Sequence, residues 1–219
     1  MEKKIILSNN NKSLFISFEG IDGSGKSTQV KMLFEYLGEM RKNPIIVREP
    51  GGTNISEEIR TILLKNRAEF LSPRTEALLM TASRNQLLNQ IIIPGLKNGE
   101  TIIADRFSDS TLAYQGGGRD LDINWLMELN DFATHNIYPD ITFYIDIPPE
   151  EWQKRNFSKE NDRFENAGYN FQKKVREKYL KIVDLFPQRI VKINGLKNPS
   201  EIHQYIIDVI SKKINSIYK

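Results

Sequence analysis

The chain of 219 residues has no cysteine and only two histidines. Disulfide bonds and thiolate metal sites are therefore excluded, and a zinc cluster built on histidines is not expected. The sequence also lacks an apolar run long enough to span a bilayer, and its polar opening MEKKIILSNNNKS lacks the apolar core of a signal peptide. We therefore expect a soluble protein of the reducing cytoplasm that has no membrane partner, with residues 1–12 as a frayed start before the first strand.

The sequence has no strong excess of either charge. Lysine and arginine number 31 against 28 acidic residues, which gives a net charge of +3. Such a balance is too weak to predict a nucleic-acid partner, although it is compatible with a local basic pocket for anionic ligands. Hydrophobic residues make up 39% of the chain. A single domain over residues 1–219 is the expectation, since domains of up to about 250 residues commonly hold one core.

Apolar runs alternate with amphipathic stretches along the whole chain. This pattern is typical of parallel strands that are connected by crossover helices, and several runs are hydrophobic throughout, as in a sheet covered on both faces. The predicted strands are 14–18, 44–48, 101–105, 141–146 and 189–193. The predicted helices are 26–42, 54–66, 73–97, 122–135, 149–157, 168–185 and 199–215. The sequence thus predicts an α/β fold with a five-stranded parallel sheet between helical layers.

The segment 154–166, KRNFSKENDRFEN, is the least core-like part of the chain. Its only large apolar residues are two phenylalanines among many charged residues. The residues alone leave two interpretations open, a mobile lid or a solvated junction between helices, and composition slightly favours the junction.

The strongest functional signal is the phosphate loop GIDGSGKS, residues 20–27. It matches the pattern GxxxxGK[ST] between a predicted strand and a predicted helix, a context that disfavours the alternative of a glycine-rich turn with an accidental lysine. Glycines let backbone N–H groups approach phosphate oxygens, Lys26 adds charge at the β- and γ-phosphates, and Ser27 ligates Mg²⁺. We therefore predict binding of ATP with Mg²⁺. The predicted nucleotide-binding residues are Gly20, Ile21, Asp22, Gly23, Ser24, Gly25, Lys26, Ser27 and Thr28.

A phosphate loop alone does not distinguish switches, motors and small-molecule kinases. A GTPase needs a guanine-reading Asn-Lys-x-Asp segment late in the chain, whereas the Asn-Lys pair of this sequence, Asn11-Lys12, precedes the first strand. A kinase for a small acceptor needs a second anion site that faces the loop. The ends of the strands show whether such a site is present.

Two predicted strands end in an arginine next to a carboxylate. The second strand ends in Arg48-Glu49 and the third in Asp105-Arg106, and the carboxyl ends of parallel strands meet at the edge where the phosphate loop also lies. One such pair is as compatible with a structural ion pair as with a site, but two of them beside a phosphate loop favour a site. Asp105 is placed to hold a metal-bound water or to orient the acceptor, and Arg106 to bind its phosphate.

Several motifs together resemble one family. FEGIDGSGKST, REPGGT, LLMTASRNQ, DRFSDSTLAYQGGGR and NDRFE occur in the order and spacing of thymidylate kinases, over residues 14–185. The resemblance implies transfer of the γ-phosphoryl group of ATP to dTMP, giving dTDP and ADP for dTTP synthesis. It also implies a three-layer α/β/α P-loop kinase fold, a helical lid at 154–166, and a homodimer.

The resemblance also implies roles for individual residues. Asp22 would bind the 3′-hydroxyl of the acceptor, Arg48 and Arg106 its phosphate, and Glu49 would support the metal or the arginines. Arg84 would bind the thymine edge. The implied substrate-binding residues are Asp22, Arg48, Glu49, Arg60, Met80, Arg84, Arg106, Thr111 and Gln115. The implied catalytic residues are Lys26, Asp105, Arg106, Arg155 and Arg163, and the implied metal ligands are Ser27 and Asp105.

The sequence departs from the family pattern at positions that concern substrate selection. Met80 stands where a phenylalanine is common, so a flexible thioether replaces a ring that would stack on thymine. Phe107 stands where tyrosine is common and removes a hydroxyl group, which weakens inferences about sugar selection. The preference for deoxyribose is thus implied by the resemblance alone. Glu19, at the end of the first strand, is left open between a structural acid and a site residue near the acceptor.

A third departure concerns the cation that stabilises the transition state. Some family members carry a basic residue at the place of Gly23, while others supply arginines from the lid. This chain has a basic lid, in which Arg163 matches the family motif more securely than Arg155. The candidate lid cations are Lys154, Arg155, Lys159 and Arg163.

Two other functions remain as alternatives to a dTMP kinase. A related kinase would phosphorylate a nucleoside or a different nucleotide, and dTMP would then yield little ADP. A nucleotide-gated interaction module would hydrolyse ATP slowly whatever small acceptor is present.

Overall fold

The computed structural model describes residues 13–40, 42–66, 68–156 and 163–217. Within them, five parallel strands form one sheet, so the predicted fold class is confirmed. The strands are β1 (Phe15–Glu19), β2 (Pro44–Arg48), β3 (Thr101–Asp105), β4 (Ile141–Asp146) and β5 (Ile190–Asn194). Residues 1–12 and Lys159, for which the sequence made predictions, lie outside the described residues.

The helices follow the predicted alternation, except that the predicted helix 73–97 is divided by a π-helical turn and that the helix over Ser108–Ala113 was not predicted. They are α1 (Lys26–Glu39), α2 (Asn54–Leu64), α3 (Pro73–Leu87), α4 (Ile93–Lys97), α5 (Ser108–Ala113), α6 (Ile123–Thr134), α7 (Pro149–Asn156), α8 (Gly168–Leu185) and α9 (Pro199–Ile217). A π-helical turn over Leu88–Ile92 joins α3 to α4, and a second over Tyr114–Gly118 continues α5. No described helix combines the length and the apolar character that a bilayer crossing requires.

The strand order β2-β3-β1-β4-β5 brings the functional motifs to one edge of the sheet. In the parallel register Asp105 pairs with Phe18 of β1 and with Arg48 of β2. The end of β1, where the phosphate loop begins, therefore lies next to the ends of β3 and β2. This is the arrangement that the sequence predicts for a two-part anion site.

The core lies on both faces of the sheet. Phe18 and Phe143 pack with α1 and α9 on one face, and Phe15 and Phe107 pack with α3 and α4 on the other. Burial of one such phenylalanine contributes about 1.5–3 kcal/mol. A further cluster lies beneath the functional edge, where Tyr179 of α8 stacks on Tyr144 of β4. Three layers of secondary structure thus hold the ends of the strands rigidly in place.

Candidate active site

A cavity of 560 Å³ opens at the carboxyl edge of the sheet. Most residues that the sequence assigns to the site line this one cavity. They are Asp22, Gly23, Gly25, Lys26, Ser27, Thr28, Arg48, Glu49, Arg60, Met80, Arg84, Asp105, Arg106, Thr111 and Gln115. The predicted residues Gly20, Ile21, Ser24, Arg155 and Arg163 lie around it and do not form its lining.

The phosphate loop has the tight backbone that its glycines permit. Gly20 has φ +143°, and a side chain there would place a Cβ 2.5 Å from the carbonyl oxygen of Ile145. Lys26 begins α1, and its Nζ donates to the carbonyl oxygens of Gly20 and Ile21 at 3.0 Å each. Burial, assisted by the charge of Arg106, lowers the pKa of Lys26 to about 8. The loop therefore presents a buried cation to the cavity.

Two oxygen ligands meet beside the loop. Ser27 Oγ donates a hydrogen bond of 2.6 Å to Asp105 Oδ2, so a hydroxyl group of α1 and a carboxylate of β3 share one point of the cavity wall. Hard oxygen ligands of this kind suit Mg²⁺, which usually completes its coordination with water and phosphate oxygens. Among the described residues no cluster of three or more His, Cys, Asp or Glu side chains could hold a metal alone. The pair thus fits an ion that is shared with a phosphate ligand.

Arg106 of the cavity wall is bonded to the phosphate loop at two points. Its Nη1 donates to the carbonyl oxygen of Gly20 at 2.8 Å, and its Nη2 donates to Asp22 Oδ1 at 2.6 Å. Burial raises the pKa of Asp22, but the positive charges of Arg106 and Lys26 outweigh it and keep that pKa below its usual value. Asp22 is therefore ionised and is held by the arginine inside the cavity.

Tyr114 is a cavity residue to which the sequence analysis assigned no role. Its hydroxyl group accepts from Arg106 Nη2 at 3.0 Å and donates to Asp22 Oδ2 at 3.3 Å. Burial raises its pKa well above the ordinary tyrosine value, so the hydroxyl group stays protonated. Tyr114 lies in the motif DRFSDSTLAYQGGGR, 8 residues after Arg106. Its place in that motif was the signal that could have identified it as a site residue.

Arg48 projects into the cavity from the end of β2. Its Nη2 donates to Glu57 Oε1 at 2.8 Å, and the same oxygen accepts from Gly52 N at 2.7 Å. Glu57 lies in the first turn of α2 and was not predicted as a site residue from the sequence. The hydrogen bond from Gly52 is the main reason why the pKa of Glu57 is lowered. Glu57 is thus a carboxylate that holds one side of the Arg48 guanidinium.

Glu49 and Arg84 form a buried ion pair at the back of the cavity. Arg84 donates to Glu49 Oε2 from Nε at 2.8 Å, while Nη1 donates to Thr111 Oγ1 at 2.9 Å and to Asn130 Oδ1 at 2.7 Å. Its Nη2 donates to the carbonyl oxygen of Phe107 at 3.1 Å. These protein partners occupy the guanidinium that the sequence assigned to the thymine edge, and that assignment stays a prediction. Burial raises the pKa of Glu49 despite the charge of Arg84.

Glu76 of α3 links the predicted base pocket to the end of the lid segment. It accepts from Gln115 Nε2 at 2.7 Å and forms ion pairs with Arg119 at 3.2 Å and with Arg163 at 2.6 Å. Arg163 also donates from Nε to the carbonyl oxygen of Leu63 at 2.8 Å. The charge of Arg163 is therefore directed at a buried acid beside the predicted base pocket. Glu76 was not predicted as a site residue from the sequence.

Arg155 is the lid cation that contacts the phosphate loop. Its Nη1 donates to the carbonyl oxygen of Gly23 at 3.0 Å, and its Nε donates to Glu151 Oε1 at 2.8 Å. Gly23 is the position where some members of the resembled family carry a basic residue. The structure thus brings a basic side chain of α7 to the same place.

Three comparisons with known proteins agree with one another. A family model described as "Thymidylate kinase" matches residues 18–206. The chain is 48% identical over 201 residues to the thymidylate kinase of Thermoanaerobacter sp. (strain X514), covering 92% of this chain and 98% of that protein. It is also 48% identical over 207 residues to that of Chlorobaculum tepidum, covering 90% of this chain and 96% of that protein. The crystal structure of thymidylate kinase from Ehrlichia chaffeensis matches with a TM-score of 0.73 at 37% identity, covering 91% of this chain and 99% of that one.

Proposed function

The chain belongs to the thymidylate kinase family, and we propose that it transfers the γ-phosphoryl group of ATP to dTMP, forming dTDP and ADP. The observation that carries the proposal is the position of Arg106. Its guanidinium bonds the phosphate loop at Gly20 and lines the same cavity as Arg48. A cation between a donor-phosphate loop and a second anion site is what transfer between two phosphates requires.

The donor side of the cavity consists of the phosphate loop and its flanking ligands. Lys26 would exchange its bonds to loop carbonyls for the β- and γ-phosphate oxygens of ATP. Ser27 and Asp105 would hold Mg²⁺, which would neutralise charge on the phosphates when bound. These residues share a rigid strand and a helix N-terminus, so the donor is oriented before transfer begins.

The acceptor side of the cavity is built from strands β2 and β3. Arg48 and Arg106 would bind the phosphate of dTMP, and Asp22 and Tyr114 would face its sugar. The ion pair of Asp22 with Arg106, 2.6 Å long, would keep the carboxylate away from the donor phosphates and close to the acceptor. A phosphorylated acceptor is favoured over a nucleoside because Arg48 and Arg106 both line this cavity, and a phosphate group can accept from two guanidinium groups, which a neutral hydroxyl group does far less well.

The lid cation of the transfer is proposed to be Arg155. Its guanidinium already lies 3.0 Å from the loop carbonyl of Gly23. A small movement of α7 would carry it from that carbonyl to the transferring phosphoryl group, where an added cation stabilises developing charge. Arg163 matches the family motif more securely than Arg155, but its guanidinium is engaged with buried Glu76.

We also propose that the enzyme is a homodimer that works in the cytoplasm. The faces of α2, α3 and α6 expose large apolar side chains, among them Leu78 at 52% and Phe132 at 82% exposure. An exposed apolar face on adjacent helices is typical of a subunit interface. Analytical ultracentrifugation of the wild type and of Phe132→Glu tests the dimer, and a wild-type monomer would contradict it. Cell fractionation tests the location.

The experiment that tests the function is an ADP-release assay with ATP and Mg²⁺ against a panel of acceptors. The panel contains dTMP, dUMP, dCMP, dAMP, dGMP and thymidine. We expect dTMP to give the highest kcat/KM. A higher value for thymidine or for another nucleotide would favour the related-kinase alternative, and slow ADP release that no acceptor changes would favour the interaction module.

A further inference from the structure

Glu19, the last residue of β1, is fully buried and accepts hydrogen bonds from three directions. Its Oε1 accepts from Phe107 N at 2.8 Å. Its Oε2 accepts from Ser110 Oγ at 2.6 Å and from Tyr179 Oη at 2.7 Å. The Glu19 side chain, for which the sequence leaves two roles open, neither faces solvent nor lines the cavity. It lies directly behind the cavity wall.

The hydroxyl groups that bind Glu19 also contact Arg106. Ser110 Oγ accepts from Arg106 Nη1 at 3.3 Å, and Tyr179 Oη accepts from the same nitrogen at 3.4 Å. The two hydroxyl oxygens lie 3.0 Å apart. Since each hydroxyl proton is directed to Glu19, the oxygen lone pairs are left to face the guanidinium. The carboxylate therefore determines which way both hydroxyl groups point.

The backbone of Arg106 gives a second, independent link. Arg106 has φ +74°, a left-handed conformation that a side chain with a Cβ rarely adopts. The next N–H group, that of Phe107, is the one that Glu19 Oε1 accepts. On the other side, Arg106 N donates to the carbonyl oxygen of Phe18 at 3.0 Å. The end of β1 thus holds the unusual turn from both sides, at the point where it aims the arginine at the cavity.

We propose that Glu19 is a positioning residue for Arg106 in the transfer to dTMP. It holds the turn through Phe107 N and orients Ser110 and Tyr179 so that their oxygens face the guanidinium. The inference rests on the proposed function, because Arg106 is there the ligand of the acceptor phosphate. It predicts that damage to this network affects use of dTMP and leaves use of ATP nearly intact.

The direct test is Glu19→Gln, which keeps the size of the side chain but replaces one acceptor oxygen with a donor NH₂ group. At least one of the three hydrogen bonds must then be lost or reversed in direction, and reversal would turn a hydroxyl proton toward Arg106. We expect kcat/KM for dTMP to fall about tenfold or more, the scale of one charge-assisted hydrogen bond, and KM for ATP to change by less than about twofold. A thermal melt of each protein shows whether it is folded at the assay temperature.

Two pairs of milder variants keep the inference testable even where Glu19→Gln does not fold. Ser110→Ala removes a hydroxyl group that bonds both Glu19 and Arg106. Its matched control is Ser108→Ala in the same helix, whose Oγ has no hydrogen-bond partner among the described residues. Tyr179→Phe removes the second shared hydroxyl group. Its control is Tyr144→Phe, which removes the hydroxyl group of the stacked neighbour that bonds Asp146.

We expect Ser110→Ala and Tyr179→Phe to raise KM for dTMP several-fold more than their controls do, with KM for ATP unaffected. Equal effects of a variant and its control, or equal changes in both KM values, would overturn the inference. The wild-type acceptor panel separates this outcome from failure of the proposed function. If the wild type prefers dTMP and the variants show no split, the assignment of Glu19 alone is wrong.

Discussion

Arg155 of α7 and Gly23 of the phosphate loop are joined by a hydrogen bond from Nη1 to the carbonyl oxygen, 3.0 Å long. A second hydrogen bond, from Arg155 Nε to Glu151 one helical turn earlier, fixes the other side of the guanidinium. The lid helix therefore contacts the loop that is proposed to hold the donor phosphates. In the proposed transfer, Arg155 would leave this carbonyl oxygen for the phosphoryl group.

We predict that Arg155→Ala lowers kcat by about a hundredfold or more, since a cation placed on a transferring phosphoryl group contributes on the order of 10³ in rate. KM for dTMP should change by less than about threefold, because Arg155 does not line the acceptor side. The measurement is steady-state ADP release. Lys154→Ala is the matched control, as Lys154 is a neighbouring basic residue whose side chain is mostly exposed. Similar losses in both variants would contradict a specific role for Arg155.

Arg163→Ala should behave differently from Arg155→Ala. Arg163 compensates buried Glu76 at 2.6 Å, and its removal leaves that acid to Arg119 and Gln115. We expect a loss of stability of about 1–3 kcal/mol, measured by thermal or urea unfolding, and a smaller fall in kcat than for Arg155→Ala. The opposite ranking of the two kcat values would return the role to Arg163, as the motif alignment suggested.

Arg106→Ala should separate the two substrates. The variant removes the guanidinium that is proposed to bind the acceptor phosphate, so we expect KM for dTMP to rise by about tenfold to a hundredfold. KM for ATP should rise far less, because Lys26 and the loop backbone remain. Initial rates over a grid of both concentrations give the two values, and Arg74→Ala, on the exposed start of α3, serves as the control. A parallel rise of both KM values would contradict a cavity divided into donor and acceptor sides.

The fold and most of the cavity could be predicted because their signals are local in sequence. Hydrophobic runs marked the strands, and Arg48, Asp105 and Arg106 were selected because parallel strand ends must meet at one edge. The helix α5 and its π-helical continuation were missed because Tyr114–Gly118 contains three glycines, which are poor helix formers. Tertiary contacts hold this segment, including the bond from Phe107 N to Glu19.

The supporting carboxylates were beyond the reach of sequence patterns. Glu76 bonds Gln115, 39 positions away in the sequence, and Glu19 bonds Tyr179, 160 positions away. Nothing in the spacing of the acids distinguishes Glu76 and Glu57 from the exposed acids around them. The choice among the lid cations was equally hidden, because four basic side chains look alike until the fold assigns Arg155 to the loop and Arg163 to Glu76.

Met80→Phe tests the departure from the family pattern in the base pocket. Met80 lines the cavity from α3 and is partly buried. A ring at this place can stack on thymine, an interaction of about 0.5–1.5 kcal/mol beyond burial. We expect KM for dTMP to fall by about twofold to tenfold with KM for ATP unchanged, measured by steady-state kinetics. Met80→Leu, which adds no ring, is the control. An increase in KM would mean that the pocket is already filled by the thioether.

The stability of the protein should depend on the titration of Glu19. Burial, with the charge of Asp109, raises the pKa of Glu19 from 4.5 to about 7, although Arg106, Ser110 and Tyr179 favour the ionised form. Between these two values the folded protein keeps a proton that the unfolded chain has released. The stabilising contribution of this proton to the free energy of unfolding is therefore fully present below pH 4.5 and is lost as the pH rises through 7. The change amounts to about 3 kcal/mol. In Glu19→Gln the free energy of unfolding should depend less on pH over that window. An unchanged pH dependence would contradict the raised pKa of Glu19.

Activity should depend on the same titration with the opposite sign. Protonated Glu19 has to donate one hydrogen bond where the carboxylate accepts three, so the orientation of Ser110 and Tyr179 toward Arg106 is lost below pH 7. We expect kcat/KM for dTMP to rise with pH through 7 in the wild type.

The phosphate of dTMP also titrates near pH 6, but it does so with either protein. The ratio of the wild-type kcat/KM to that of Glu19→Gln at each pH therefore isolates the titration of Glu19. In Asp109→Asn the midpoint of that titration should move to lower pH, because one neighbouring negative charge is removed. A ratio that stays constant between about pH 5.5 and about pH 8.5 would show that the charge of Glu19 does not control the position of Arg106.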